Sequence, residues 1–289
     1  MKKRETLTLV DLGAVILLIS LLVSIMYPLL KAIRHITQKE TCPINLKGLG
    51  TAMTVYSNDY NGYFPQLPGN GPWSKELGFA YDLKEPDFKS GGAQSNTGRT
   101  ITASWYLLVR EADVSPKSFV CPTQKTITEF DGSNPQKRDI KSLWDFGSQP
   151  HKHVSYVMHN PYGQFPADNS RSAAFAVAAD MSPYFDNGDI IQASMDSLLR
   201  KIDPAKPFSS QLYNSLNHKS YGQTVLYADG YISWEQCPDV GVKYDNIYTF
   251  WLTKTNSEPN ELNKRIGQSP KSRSPENDAK SEKDSFLVI

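Results

Sequence analysis

Residues 12–30, LGAVILLISLLVSIMYPLL, contain no Asp, Glu, Lys, Arg or His. As a helix rising about 1.5 Å per residue, the stretch spans roughly 28 Å, close to the hydrocarbon thickness of a bilayer. A core helix of a soluble domain shows a polar stripe, whereas here only Ser20 and Ser24 interrupt the apolar surface. A secretory signal ends in small residues before its cleavage site, whereas Met26, Tyr27 and Pro28 are followed by two leucines and Lys31. The expectation is therefore an uncleaved transmembrane helix over 7–34, preceded by a basic leader-like segment over 1–6. Lys2, Lys3 and Arg4 favour a cytoplasmic N-terminus, against the counterweight of Lys31, Arg34 and Lys39.

Moving outward, Cys42, Leu46, Leu49, Met53, Tyr56 and Tyr60 recur in steps of four and three, which puts them on one helical stripe. Residues 35–60 are read as an amphipathic continuation of the N-terminal helix. Pro43 requires either a kink near Lys39 to Pro43 or a new helix starting with proline in its first turn. Asn61-Gly62 marks the end. Residues 61–253 supply short candidate strands: ITASWYLLV, which also suits a helix, KSFVCP, VSYVMH, SAAFAVAAD, QTVLYADGYISW and NIYTFW. In the fifth, β-branched and aromatic residues flank Asp229-Gly230, the pattern of a hairpin. A helix across a small antiparallel sheet buries both apolar faces, so the expected class is α+β with long loops. Residues 254–289 are rich in Ser, Pro, Asn, Lys and Glu and read as a disordered tail, with the terminal FLVI as a short candidate docking strand.

A formal net charge of +1 with no basic stripe excludes an obvious nucleic-acid binder. Cys42, Cys121 and Cys237 are each followed by proline and lack the C-x-x-C spacing of zinc knuckles and redox motifs. In an exported domain they make one disulfide and one free thiol. Of three pairings, Cys42 with Cys121 is preferred because it staples the helical stripe to the sheet. His218 and Asp229 are an imidazole and a carboxylate with no nucleophile motif beside them. A structural role in the hairpin with Gly230 is favoured over acid–base catalysis, and no catalytic residue is assigned. Asp180, Asp186, Asn187 and Asp189 lie in an oxygen-rich stretch of the kind that holds calcium, but without EF-hand spacing. A solvated acidic loop is favoured, leaving Asp186 and Asp189 as the calcium candidates and no other cofactor expected.

The conjunction of a basic start, TLTLVDL, an apolar span ending in proline, C-x-x-NLK-x-LG-x-A, Y-x-x-DY-x-G-x-FP, F-x-CP, SY-x-M-x-N and a histidine followed by VLYADG resembles the prepilin-like H-X9-DG family. These are type IV pilin-like or type II secretion pseudopilin-like proteins of planctomycete-type bacteria, and the resemblance runs from about residue 4 to 252. It implies a pilin-like fold: a long N-terminal helix, membrane-embedded in its first half, packed by its second half on an antiparallel sheet. It also implies a single-pass inner-membrane subunit with a periplasmic or extracellular domain. Its partners would be the lipid bilayer and other pilin-like subunits bound through the N-terminal helix, and it implies that Asp11 pairs with a neighbour's α-amine, although with Thr6 at the cleavage position a charge resting at the membrane interface is the favoured reading of Asp11. Prepilin peptidase cuts after glycine, but Thr6 stands at that position, with Leu7 and Asp11 replacing phenylalanine and glutamate, so Thr6 should resist cleavage. Ten residues separate His218 from Asp229, one more than the pattern. The alternative function is a membrane-tethered extracytoplasmic module that binds surface polysaccharide or protein without polymerising.

Overall fold

A computed structural model describes residues 9–77, 81–84, 98–191, 203, 209–252 and 258–289, with side chains left aside at 9–11 and 28–40. The chain divides into two units, Met1–Glu40 and Thr41–Ile289. Helix α1 is Leu9–Asp59. The boundary between the units falls just before Pro43, the position at which the sequence requires a kink or a fresh start.

In the first unit the described apolar side chains run from Leu12 to Tyr27. Among the described residues no helix is long and apolar enough to cross a membrane. This corrects the expected pilin-like architecture, in which a long helix with a transmembrane first half is laid on a sheet. The single-pass inner-membrane placement is corrected on the same ground.

The second unit is α+β with an antiparallel sheet. Its helical part, from Thr41 to Asp59, buries Cys42, Leu46, Leu49, Met53 and Tyr56, while Tyr60 lies beyond the helix and stacks on Tyr56 at 3.9 Å. The helix stops because Asn61 and Gly62 both take positive φ, which lets the Gly62 N–H donate back to the Ser57 carbonyl at 2.8 Å. Gly50 permits close approach to the sheet: a Cβ there would lie 2.6 Å from Leu226 Cδ1. Asn45 Nδ2 adds polar ties to the Val120 carbonyl at 3.0 Å and the Tyr156 hydroxyl at 3.2 Å.

The main sheet contains β1 (Tyr156–His159), β2 (Ala176–Asp180), β5 (Gln223–Tyr227), β6 (Ile232–Glu235) and β7 (Leu287–Val288), in the order β6-β5-β2-β1-β7 with every pairing antiparallel. A separate ribbon pairs β3 (Phe185–Asp186) with β4 (Asp189–Ile190). β1, β2 and β5 are buried along their whole length, so they show no alternation of buried and exposed positions.

ITASWYLLV forms helix α2 (Ile101–Glu111), with Thr100 as N-cap accepting from the Ala103 N–H at 2.9 Å. KSFVCP enters through a 3-10 turn, Pro116–Phe119, begun by proline. NIYTFW contributes an isolated bridge, Phe250 to Gln268.

The expected disordered tail is also corrected. Residues 258–289 are packed, with a short helix α3 (Glu261–Ile266) and with β7 completing the sheet beside β1. Phe286, Leu287, Val288 and Ile289 are buried. Two buried carboxylates organise the docking. Asp245 accepts from the Ser285 N–H at 2.7 Å and from Trp251 Nε1 at 2.6 Å, and Asp284 accepts from the N–H groups of Trp251 and Lys280.

Candidate functional site

Four side chains from distant parts of the chain converge inside the second unit: Cys42 on α1, Cys121 just after the Pro116–Phe119 turn, Asp180 at the end of β2, and His218 at the end of the 3-10 turn Leu216–His218. All four are buried, and their ligand-bearing atoms lie within 4.8 Å of one another. Cys42 and Cys121, the pair preferred from the sequence, are joined by a disulfide with 5.5 Å between Cα atoms, closing a separation of 79 residues.

His218 Nε2 lies 3.2 Å from Asp180 Oδ2 and 3.8 Å from Cys121 Sγ, and its ring stands edge-on to Trp234 on β6 at 5.0 Å. Asp180 also accepts from the Thr224 N–H at 2.7 Å and from Asn217 Nδ2 at 3.2 Å. These donors satisfy a carboxylate that has no exposed surface. In the sequence Asp180 stands with the acidic stretch that follows it, Asp186 to Asp189. The signal that separates it is position, since a carboxylate closing the apolar run AVAAD must find a partner in the core.

The carboxylate beside His218 is thus Asp180. Asp229 instead accepts from the Tyr231 N–H at 2.9 Å within the β5–β6 turn, where Gly230 takes φ +79° and donates to the Tyr227 carbonyl. Lys47 Nζ donates to the Gly230 carbonyl at 2.8 Å, tying the turn to α1. The segment between His218 and β5 uses two left-handed residues, Lys219 and Ser220, before Gly222. A Cβ at Gly222 would lie 2.4 Å from the Glu235 carbonyl, so the chain passes there only as glycine.

Asp186 and Asp189 face each other across the β3–β4 turn, but each carboxylate has a protein partner. Asp189 pairs with Lys75 Nζ at 2.8 Å, and Asp186 accepts from Asn187 Nδ2 at 3.2 Å. Thr6 and Leu7 lie outside the described residues, and Asp11 falls in α1 with its side chain outside them. Elsewhere an open cleft of about 510 Å³ is lined by Tyr60, Tyr63 and Trp144 together with Asp59 and Glu111.

The first unit presents a different kind of surface. From Leu12 to Tyr27 the large apolar side chains are between 46% and 71% exposed, on all sides of the helix. Ser20 and Ser24 turn their hydroxyls back onto the Leu17 and Leu21 carbonyls at 2.8 and 2.7 Å, leaving those donors satisfied within the helix. No family model, curated protein or solved structure matches this chain.

Proposed function

We propose that the chain is a non-catalytic structural subunit of a pilin-like or pseudopilin-like assembly, of the type II secretion or type IV pilus-like kind, joined to other copies through the Leu12–Tyr27 helix. The observation that carries this reading is the all-round exposure of that apolar helix, with its two serine hydroxyls satisfied internally. Such a surface is unfavourable in water and becomes favourable when several helices bury it together. Small side chains at Gly13, Ala14 and Ser20 let neighbouring backbones approach closely. In the second unit His218 and Asp229 serve separate contacts, which supports a structural rather than hydrolytic role.

The test is disulfide cross-linking in cells producing a Cys237→Ser background that carries Ala14→Cys and Ile16→Cys together, two thiols on opposite sides of the helix, so that one chain can bond to two neighbours. A ladder extending beyond dimers is expected, and it should collapse when Leu17 and Leu21 are both changed to Glu. A monomer alone, or a ladder indifferent to the two glutamates, would overturn the proposal.

A further inference from the structure

We infer that Cys42, Cys121, Asp180 and His218 form a four-ligand zinc site in the reduced chain, so that the same four segments are held together by a disulfide in one redox state and by a metal in the other. A tetrahedral zinc with bonds of about 2.0–2.3 Å has ligand-to-ligand distances of about 3.3–3.8 Å. His218 Nε2 stands at 3.2 Å from Asp180 Oδ2 and 3.8 Å from Cys121 Sγ, so these pairs already have that spacing. The fourth ligand, Cys42 Sγ, reaches it once the sulfur–sulfur bond opens and the two sulfurs separate by side-chain rotation.

The orientation of the imidazole distinguishes this arrangement from a catalytic relay. In a Cys-His-Asp relay the carboxylate holds one ring nitrogen while the other faces the sulfur. Here the same nitrogen, Nε2, faces both Asp180 and Cys121, which is the geometry of convergence on one point. Two thiolates, an imidazole and a carboxylate in a small tetrahedral space suit zinc rather than calcium or magnesium, which require six or more oxygen ligands. Supporting groups are present around the ligands: the Thr224 N–H and Asn217 amide on Asp180, and Thr123 Oγ1 at 2.9 Å from Cys121 Sγ. Burial of all four ligands leaves no open coordination position, so the site is structural.

A dithiol reductant gives two electrons and two protons to the Cys42–Cys121 bond and is itself oxidised to a cyclic disulfide. Zinc then replaces the two thiol protons, which pass to solvent, while His218 binds as the neutral ring.

The experiment uses the full chain, reduced and freed of reductant, titrated with Co²⁺ as a spectroscopic probe. The expected result is one equivalent bound with the thiolate-to-cobalt charge-transfer and tetrahedral ligand-field bands, displaced by one equivalent of Zn²⁺. The oxidised chain should give no such spectrum. Cys237→Ser should leave the spectrum unchanged, Cys42→Ser with Cys121→Ser should abolish it, and His218→Ala or Asp180→Asn should weaken binding by more than about 100-fold. Should reduction unfold the chain, far-ultraviolet circular dichroism supplies the second readout, with one equivalent of Zn²⁺ expected to restore the fold. A reduced chain, folded or unfolded, that neither develops the cobalt spectrum nor responds to zinc would overturn the inference. So would a spectrum undiminished by the combined Asp180→Asn and His218→Ala changes.

Discussion

His159 accepts the Phe286 N–H on Nδ1 at 3.1 Å and donates from Nε2 to the Phe165 carbonyl at 2.8 Å, which fixes it as a neutral ring and makes it the latch of the C-terminal strand. Burial pushes its pKa down to about 4. Between its unfolded value near 6.5 and that figure, the unfolded chain binds a proton that the native ring refuses. Stability therefore falls as pH falls through this window, by about 3 kcal/mol for this group taken alone. Asp145 and Asp284 act in the opposite sense. Burial raises both to about 7, so the native state holds protons that the unfolded chain releases, and their contribution grows as pH falls from 7 toward 4. Global unfolding mixes the two effects, but amide exchange separates them. On going from pH 7 to pH 4.5, Phe286 and Leu287 should lose protection before the β2 amides do. Equal retention across both strands at pH 4.5 would remove the latch. At this scale the sequence was partly legible. Cysteine number and the helical stripe lead to Cys42 and Cys121, whereas the end of the AVAAD run marks Asp180 as a buried carboxylate without saying what it meets, and the partners of Asp180 and His159 lie far away in the chain.

Among the elements, the hairpin β5–β6 was readable because Asp229-Gly230 and the β-branched residues around it specify both the turn and the strands in one short window. Helix α2 was ambiguous for a physical reason: every residue from Ile101 to Val109 is buried, which erases the polar face that distinguishes helical from strand periodicity. The C-terminal segment was misread because composition tests whether a stretch can build a core, and this one instead completes a core built by others. Its apolar content is concentrated in Phe286, Leu287, Val288 and Ile289, all buried, with β7 closing the β1 edge. Deleting residues 285–289 should therefore lower unfolding stability by more than about 4 kcal/mol, since each large apolar side chain contributes roughly 1.5–3 kcal/mol on burial. It also removes the Ser285 N–H from the buried Asp245 carboxylate. Urea denaturation measures the loss, and an unchanged midpoint would show that the strand contributes nothing to the fold.

For the whole molecule, the division at Glu40 separates two kinds of burial. The second unit contains its own helix stripe, its sheet and both halves of the disulfide, whose loop closure alone is worth about 4 kcal/mol in the chain-entropy picture. The large apolar side chains from Leu12 to Tyr27 are exposed, and among the described residues the buried hydrophobic side chains begin at Cys42. Removing residues 1–40 should therefore leave thermal unfolding of the remaining chain within a few degrees of the full protein, because Cys42, Leu46, Leu49 and Met53 are all retained. The same deletion should abolish higher oligomers, because the surface proposed to hold them is gone. Calorimetry and light scattering on the two chains test both parts. Lost oligomers with an unchanged transition would locate assembly in the first unit and folding in the second. A shortened chain that unfolds at room temperature would mean that the N-terminal helix is needed for the fold itself. Oligomers that persist would place the assembly surface on the second unit.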